Sequence, residues 1–366
     1  MSTTLMALVA FSQAFAQNPS DWQFMGTPVL TPDASVAWAA DSVSSPSVVY
    51  DSIRGRYLMF FEARTPYTNS HCPQGIWRLG MATSPDGVSW TIVPDAVVPS
   101  NPTGWGASTY YNCVAAHPTA FFSPNNRGTS QGKVWVWFKS EQIDNACQGT
   151  TRSWGCGVYT GVGLATVCFD NAGDPYRCAL SNTPVLQSPD GANMGTPKMV
   201  YQTDTWRMAL GIYPDIYTAT GRFDDLTLDP TPILRRSVLR QTIPWVVNEV
   251  FNPAQVCDDD SAGNMDLAMF VGGRETELGA TVAGSWGKAI SDSSVLSYML
   301  DTTPQVSWTG NEDWRHWDVR KLTNADGEYV VYYDKKVGDH NEIFMGTTDP
   351  SLTWNDADFG GYRCVP

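Results

Sequence analysis

The sequence predicts an all-β chain wound into a five-bladed β-propeller with antiparallel four-stranded blades. Two observations predict it. Short runs rich in β-branched and aromatic residues, separated by turn chemistry, fill the chain from end to end. A fixed order also recurs: a proline near the start of an apolar strand, then a second aromatic strand. It appears four times with the proline and a fifth time without it. A single small antiparallel sheet has two open edges and too little core to stand alone, so a chain of such units must close on itself. A large β-sandwich accounts for the strands but not for their recurring order.

Blade one opens at 45–51 (Ser-Pro-Ser-Val-Val-Tyr-Asp), continues with 56–62 and returns along 79–84. Its turns fall at 51–55 and at Ser84-Pro85-Asp86-Gly87, where Pro presets φ and Gly accepts a positive one. Blade two opens at His117-Pro118 and continues with the aromatic run 133–138 and with 161–166. Blade three opens at Thr196-Pro197, followed by 206–211 and 216–220. Blade four opens at Asn252-Pro253, followed by 265–271. Blade five opens near Asp318 and continues with 329–334 and 342–348. Strand anchors at 46, 118, 197, 253 and 318 are unevenly spaced but blade-sized. No Pro/Ser-rich linker interrupts them, so residues 17–366 read as one propeller domain.

The net charge of −14 argues against nucleic acid, an anionic membrane surface or a polyanion as partner. A neutral oligo- or polysaccharide fits an acidic, aromatic-rich chain better. Residues 1–16 carry an apolar run from Leu5 to Ala10 and end Ala14-Phe15-Ala16, the pattern of a leader cleaved after Ala16. The segment lacks Lys and Arg; retained, it would be an apolar arm able to pair with a sheet edge of another copy, giving a homo-oligomer or filament. No later stretch suits membrane insertion. Eight cysteines in an exported chain imply disulfides and a secreted or cell-surface location. The most local set is Cys147–Cys156, Cys168–Cys178, Cys72–Cys113 and Cys257–Cys364.

In a propeller the innermost strands line a central channel, and their starts converge at one mouth. Here those starts offer Ser44, Ser45, His117, Thr196, Lys198, Asn252 with Glu249, and Asp318, while the second strands lead on to Glu62, Glu141, Asp215, Arg274 and Asp334. Cleaving a glycosidic bond needs one protonated and one ionised carboxyl across the scissile oxygen. Asp41, Glu141, Asp215 and Glu249 form the pool for that pair, and His117 is a candidate acid. Trp105, Trp154 and Trp286, in Gly-containing segments, are candidates to stack on sugar faces beside Arg274, whereas Trp90 and Trp308 at strand ends read as packing. Asp258-Asp259-Asp260 to Asp266 places oxygen ligands as a calcium loop would, but Ala262 interrupts them and a solvated hairpin tip is favoured. A structural calcium therefore stays open, and no metal ligands are assigned.

The blade-one run 45–51 with 56–61 and 81–90 resembles the five-bladed propellers of the arabinanase, levansucrase and invertase superfamily, with glycoside hydrolase family 43 the nearest large group. Residues 248–254 (Asn-Glu-Val-Phe-Asn-Pro-Ala) are similar to a blade opening of the family 130 mannoside phosphorylases. The resemblance implies a carbohydrate-active propeller, glycoside hydrolase-like. It also implies a base Asp before the blade-one proline, a second Asp before the blade-two proline and an acid Glu close before the blade-three proline. This chain has Ser45, His117 and Gly195-Thr196 at those places. Either the active site is rearranged or the propeller is a non-catalytic glycan-binding or structural surface protein.

Overall fold

A computed structural model describes residues 22–65, 76–98, 113–124, 131–143, 157–188, 194–202, 205–259, 265–274, 284–291, 298–308, 314–321, 329–348 and 363–364. After a short N-terminal strand β1 (Gln23–Phe24), the first meander runs through β2 (Ser42–Asp51), β3 (Arg56–Thr65), β4 (Ile76–Ser84) and β5 (Thr91–Ile92). The second comprises β6 (Val114–Ser123), β7 (Lys133–Ile143) and β8 (Gly157–Phe169), with β9 (Pro175–Leu180) and β10 (Leu186–Gln187) both paired to β8. The third holds β11 (Lys198–Gln202), β12 (Thr205–Ile212), β13 (Asp215–Arg222) and β14 (Asp225–Leu228), followed by the one-turn helix α1 (Arg236–Leu239). The fourth holds β15 (Glu249–Asp259), β16 (Met265–Arg274) and β17 (Gly284–Ser291), which pairs with β18 (Tyr298–Leu300) and β19 (Val306–Trp308). The fifth holds β20 (Trp314–Lys321), β21 (Tyr329–Val337) and β22 (His340–Thr347), and a C-terminal strand β23 (Arg363–Cys364) ends the chain.

The inner strands lie against one another in sequence: β2 with β6, β6 with β11, β11 with β15, β15 with β20, and β20 back against β2. The ring is closed. The core is divided accordingly. Val49, Leu58 and Phe60 pack against Val134, Val136 and Phe138 between meanders one and two, whereas Tyr57, Met59 and Phe61 pack against Val330, Tyr332 and Ile343 of the fifth. Because successive side chains of a strand face opposite sides, β3 feeds two core layers at once and reads as an unbroken apolar run. Equivalent layers fill the remaining gaps, with Trp137 and Trp206 between two and three, Trp245 and Met269 between three and four, and Trp317 and Phe270 between four and five. Where a bulky ring crosses the backbone there is room only for glycine. A Cβ on Gly80 would sit 1.9 Å from the Trp38 ring.

The expected meanders and turns are present, with Gly55 at φ 64° and Gly87 at φ 73° closing the two blade-one turns. Trp90 packs edge-on against Tyr332, joining blades one and five. Residues 258 and 266 face each other in the β15–β16 ladder, so the aspartate run is that hairpin's end, its tip falling outside the described residues. Cys168 and Cys178 are bonded across β8 and β9, and Cys113 is also disulfide-bonded. Cys72, Cys147, Cys156, the side chains of Cys257 and Cys364, and the segment 1–16 lie outside the described residues. β23 pairs parallel with β11 through Tyr201↔Arg363 and Gln202↔Cys364, bringing the C-terminus to the inner edge of blade three.

Closure depends on the N-terminus. β1 pairs antiparallel with β22 and completes the fifth blade, and Trp22 beside it is 7% exposed. Its indole N–H donates to Gln305 Oε1 at 3.1 Å, and its ring meets Phe24, Phe270 and Trp286. Trp22→Ala is expected to lower unfolding free energy by about 3 kcal/mol or more, through a cavity at the closing seam and an orphaned amide. Urea titration checks this; a loss below about 1 kcal/mol would mean the strand does not hold the ring.

Candidate active site

Four inner strands carry a bulge at the same place, between Ser44 and Ser47, Ala116 and Thr119, Phe251 and Ala254, and Arg315 and Asp318. Within each bulge one non-glycine residue takes a left-handed backbone: Ser45 at φ 53°, His117 at 49°, Asn252 at 48° and His316 at 45°. Such a conformation costs on the order of 1–3 kcal/mol, and a bulge re-aims a side chain. Three of these residues, from blades one, two and five, meet. Ser45 Oγ lies 3.0 Å from His117 Nδ1, and the rings of His117 and His316 are 4.3 Å apart. On the other side Thr196 Oγ1 donates to Asn252 Oδ1 at 2.6 Å.

The second strands answer with charge. Glu62 stands opposite Ser44, Lys139 opposite Ala116 and Asp334 opposite Arg315. Glu62 Oε1 accepts from Ser44 Oγ at 2.7 Å and Oε2 from the His117 backbone N–H at 3.0 Å. Asp334 does the same one blade back, accepting from the Ser45 N–H at 3.1 Å and standing 3.0 Å from His316 Nδ1. Each carboxylate thus holds the bulge of the following blade. Deeper in the ring Lys198 Nζ reaches Asp318 at 3.2 Å, Arg320 pairs with the same carboxylate at 2.6 Å, and Val48 N–H donates to it at 2.8 Å.

Burial opposes charge on Glu62, but His117, His316 and the hydrogen bonds from Ser44 and His117 outweigh it and hold its pKa at about 2. Burial holds the His117 imidazole well below 6.5, reinforced by His316, Lys139 and Lys198 and opposed by Glu62. Burial likewise lowers the Lys139 and Lys198 ammonium groups, against the pull of Glu141 and Asp318. The Ser45, His117 and Glu62 trio is not a nucleophile relay. Such a relay places hydroxyl and carboxylate on opposite ring nitrogens, whereas Ser45 Oγ and Glu62 Oε2 both approach His117 Nδ1, at 3.0 and 3.3 Å.

Of the residues singled out in the sequence, His117 stands in this ring, and Glu141 is buried beside it, opposite Val114 and 3.8 Å from Lys139. Asp41 lies just before β2, partly exposed and 3.8 Å from Arg64. Asp215 opens β13 and accepts the Arg236 N–H at 2.6 Å. Glu249 opens β15, opposite Arg274, whose side chain lies outside the described residues together with Trp105 and Trp154. Trp286 is 2% exposed and packs among Trp22, Phe270 and Trp317, so its faces are turned to the core. His316 was missed. The structure sets Trp317, not Asp318, at the proline position of blade five, so His316-Trp317-Asp318 corresponds to Ser45-Pro46-Ser47. Among the described residues no group of three or more His, Cys, Asp or Glu could hold a metal ion.

No family model and no curated sequence matches the chain. Its likeness is to solved structures. A glycosyl hydrolase from Bacteroides ovatus superposes with a TM-score of 0.56 at 12% identity, covering 91% of this chain and 94% of that one. An exo-inulinase from Aspergillus awamori gives 0.56 at 13% identity over 87% and 63%. An exo-1,5-α-L-arabinanase from a bovine ruminal metagenomic library gives 0.50 at 15% identity over 84% and 92%. The fold is that of the propeller glycoside hydrolases. Within this glycoside hydrolase-like propeller the ring of bulges sits at the inner-strand starts, where the sequence places the channel mouth.

Acid should loosen that ring in two steps. His117 titrates lower folded than unfolded, so its contribution falls as pH drops below 6.5. Glu62 stabilises fully above 4.5 and loses its contribution as pH falls toward about 2. Urea unfolding from pH 7 to 3 is expected to show both losses, the upper absent in His117→Asn and the lower reduced in Glu62→Gln. Burial opposes charge on Asp86, but hydrogen bonds from Ser89, Val88 and Ser84 hold its pKa at about 2, so it still contributes to the lower loss. Identical profiles for all three proteins would remove these residues from the acid response.

Proposed function

We propose that this chain is a secreted, carbohydrate-active propeller of glycoside hydrolase type, acting at its channel mouth on sugars that are themselves neutral. The observation that carries the reading is the convergence, on a glycoside hydrolase-like fold, of ionisable side chains from several blades at one end of the ring. A carboxylate-rich mouth repels an anionic reacting sugar. One carboxyl of the pool Asp41, Glu141, Asp215 and Glu249 protonates the leaving oxygen while another acts as base or nucleophile, and His117 is a proton-transfer candidate beside them. Disulfides and a leader ending at Ala16 support export. Among the described residues no helix is long and apolar enough to cross a membrane.

One observation favours a second reading, a non-catalytic glycan-binding propeller. Ser45, His117 and Thr196 occupy the places where the resemblance implied catalytic carboxylates, and each is engaged with a neighbouring blade. Purified protein tested on a panel of neutral oligosaccharides separates the two. Turnover that falls about 100-fold or more in Asp41→Asn with Glu249→Gln, or in Glu141→Gln, supports hydrolysis. Sugar binding without turnover, unchanged by those substitutions, supports the binding module.

A further inference from the structure

The charge of the mouth is not uniform. After β14 the chain crosses to blade four through a segment carrying Arg235, Arg236 and Arg240, in a molecule of net charge −14. Two hydrogen bonds hold this segment and the start of β15 against the β12–β13 turn, Arg236 N–H to Asp215 Oδ1 at 2.6 Å and Val250 N–H to the Pro214 carbonyl at 3.2 Å, and Arg236 Nη1 reaches the Val247 carbonyl at 3.5 Å. That turn lies on the mouth side, because Gly195 N–H donates to Gly211 O just before it and Thr196 stands in the ring. At the turn Tyr213 is 62% exposed. Val238 and Val247 are exposed nearby, as are Arg235 and Arg240, and the Arg236 Nε is buried with no hydrogen-bond partner among the described residues.

We infer that this rim is a subsite for a carboxylated sugar, a hexuronate residue of the glycan lying outside the neutral reacting position. An exposed tyrosine on a held turn offers a flat face for a sugar ring, and guanidinium groups pair with a carboxylate through matched hydrogen bonds. A wholly neutral glycan would gain nothing from three arginines. The inference rests on the carbohydrate-active reading, of which it names the substrate's outer residue. Lys139, Lys198 and Arg320, the ring cations described above, are buried in pairs with Glu141 and Asp318 and are not equivalent.

The test is calorimetric binding of short neutral oligosaccharides that end in a single galacturonate, glucuronate or mannuronate residue, each as free acid and as methyl ester. Esterification removes the charge and keeps the ring. In one series the free acid is expected to bind about tenfold more tightly than its ester, less so as salt rises. That preference should vanish in Arg235→Gln with Arg240→Gln, while Tyr213→Ala weakens acid and ester alike. Both variants alter exposed side chains, and unchanged urea midpoints verify their folding. Equal binding of acid and ester in every series, or a preference that survives loss of both arginines, overturns the subsite. Acid-selective binding without turnover leaves the subsite standing and removes hydrolysis. Turnover of neutral glycans without acid preference does the reverse.

Discussion

The structure depends on a backbone constraint repeated around the axis. A residue held at positive φ in a bulge is destabilised by itself, and a Ser, His or Asn there needs compensation from its surroundings. Here the surroundings are the neighbouring blades. Glu62 binds the amide of His117, and Asp334 binds the amide of Ser45. The strained residue of one blade is thereby a joint to the blade before it. The side chains so turned inward form the lining of the site, so packing of the ring and chemistry of the channel share one set of atoms.

This sharing limits what the ring can do. Glu62 is ionised and saturated with donors, His117 is buried and neutral, and Ser45 shares the same imidazole nitrogen. Neither Glu62 nor Ser45 is built as the proton donor a glycosidic oxygen requires. In the proposed hydrolytic reading the proton donor is one of the pool carboxyls, such as Glu141, with the ring as its footing.

Much of the fold was legible in the sequence because a blade is a local object. Runs such as 57–61 and 134–138 are apolar throughout since each strand feeds two core layers, and their turns carry Gly at positive φ. The site was less legible, because its contacts join residues far apart. Ser45 meets His117 and Asp334, partners 72 and 289 positions away. A proline marked three of the four bulges, but in blade five Trp317 fills that place, and without the proline the register slipped by one and hid His316. Trp286 shows the converse: a Gly-flanked tryptophan looks available in sequence, yet only the fold reveals that Trp22 from the other end of the chain covers it.

The closing seam also sets an order of events. β1 is made before the other strands of the ring and its partner β22 after the blades between them, with Gln23 opposite Thr347. Until that late strand exists, the early one has no native edge to occupy, and every blade between them is an open arc. Contacts of such sequence separation slow folding and leave edges exposed meanwhile. Every blade must therefore be made before the ring can shut, which makes the waiting arc, rather than the finished propeller, the form most in need of protection from its own kind.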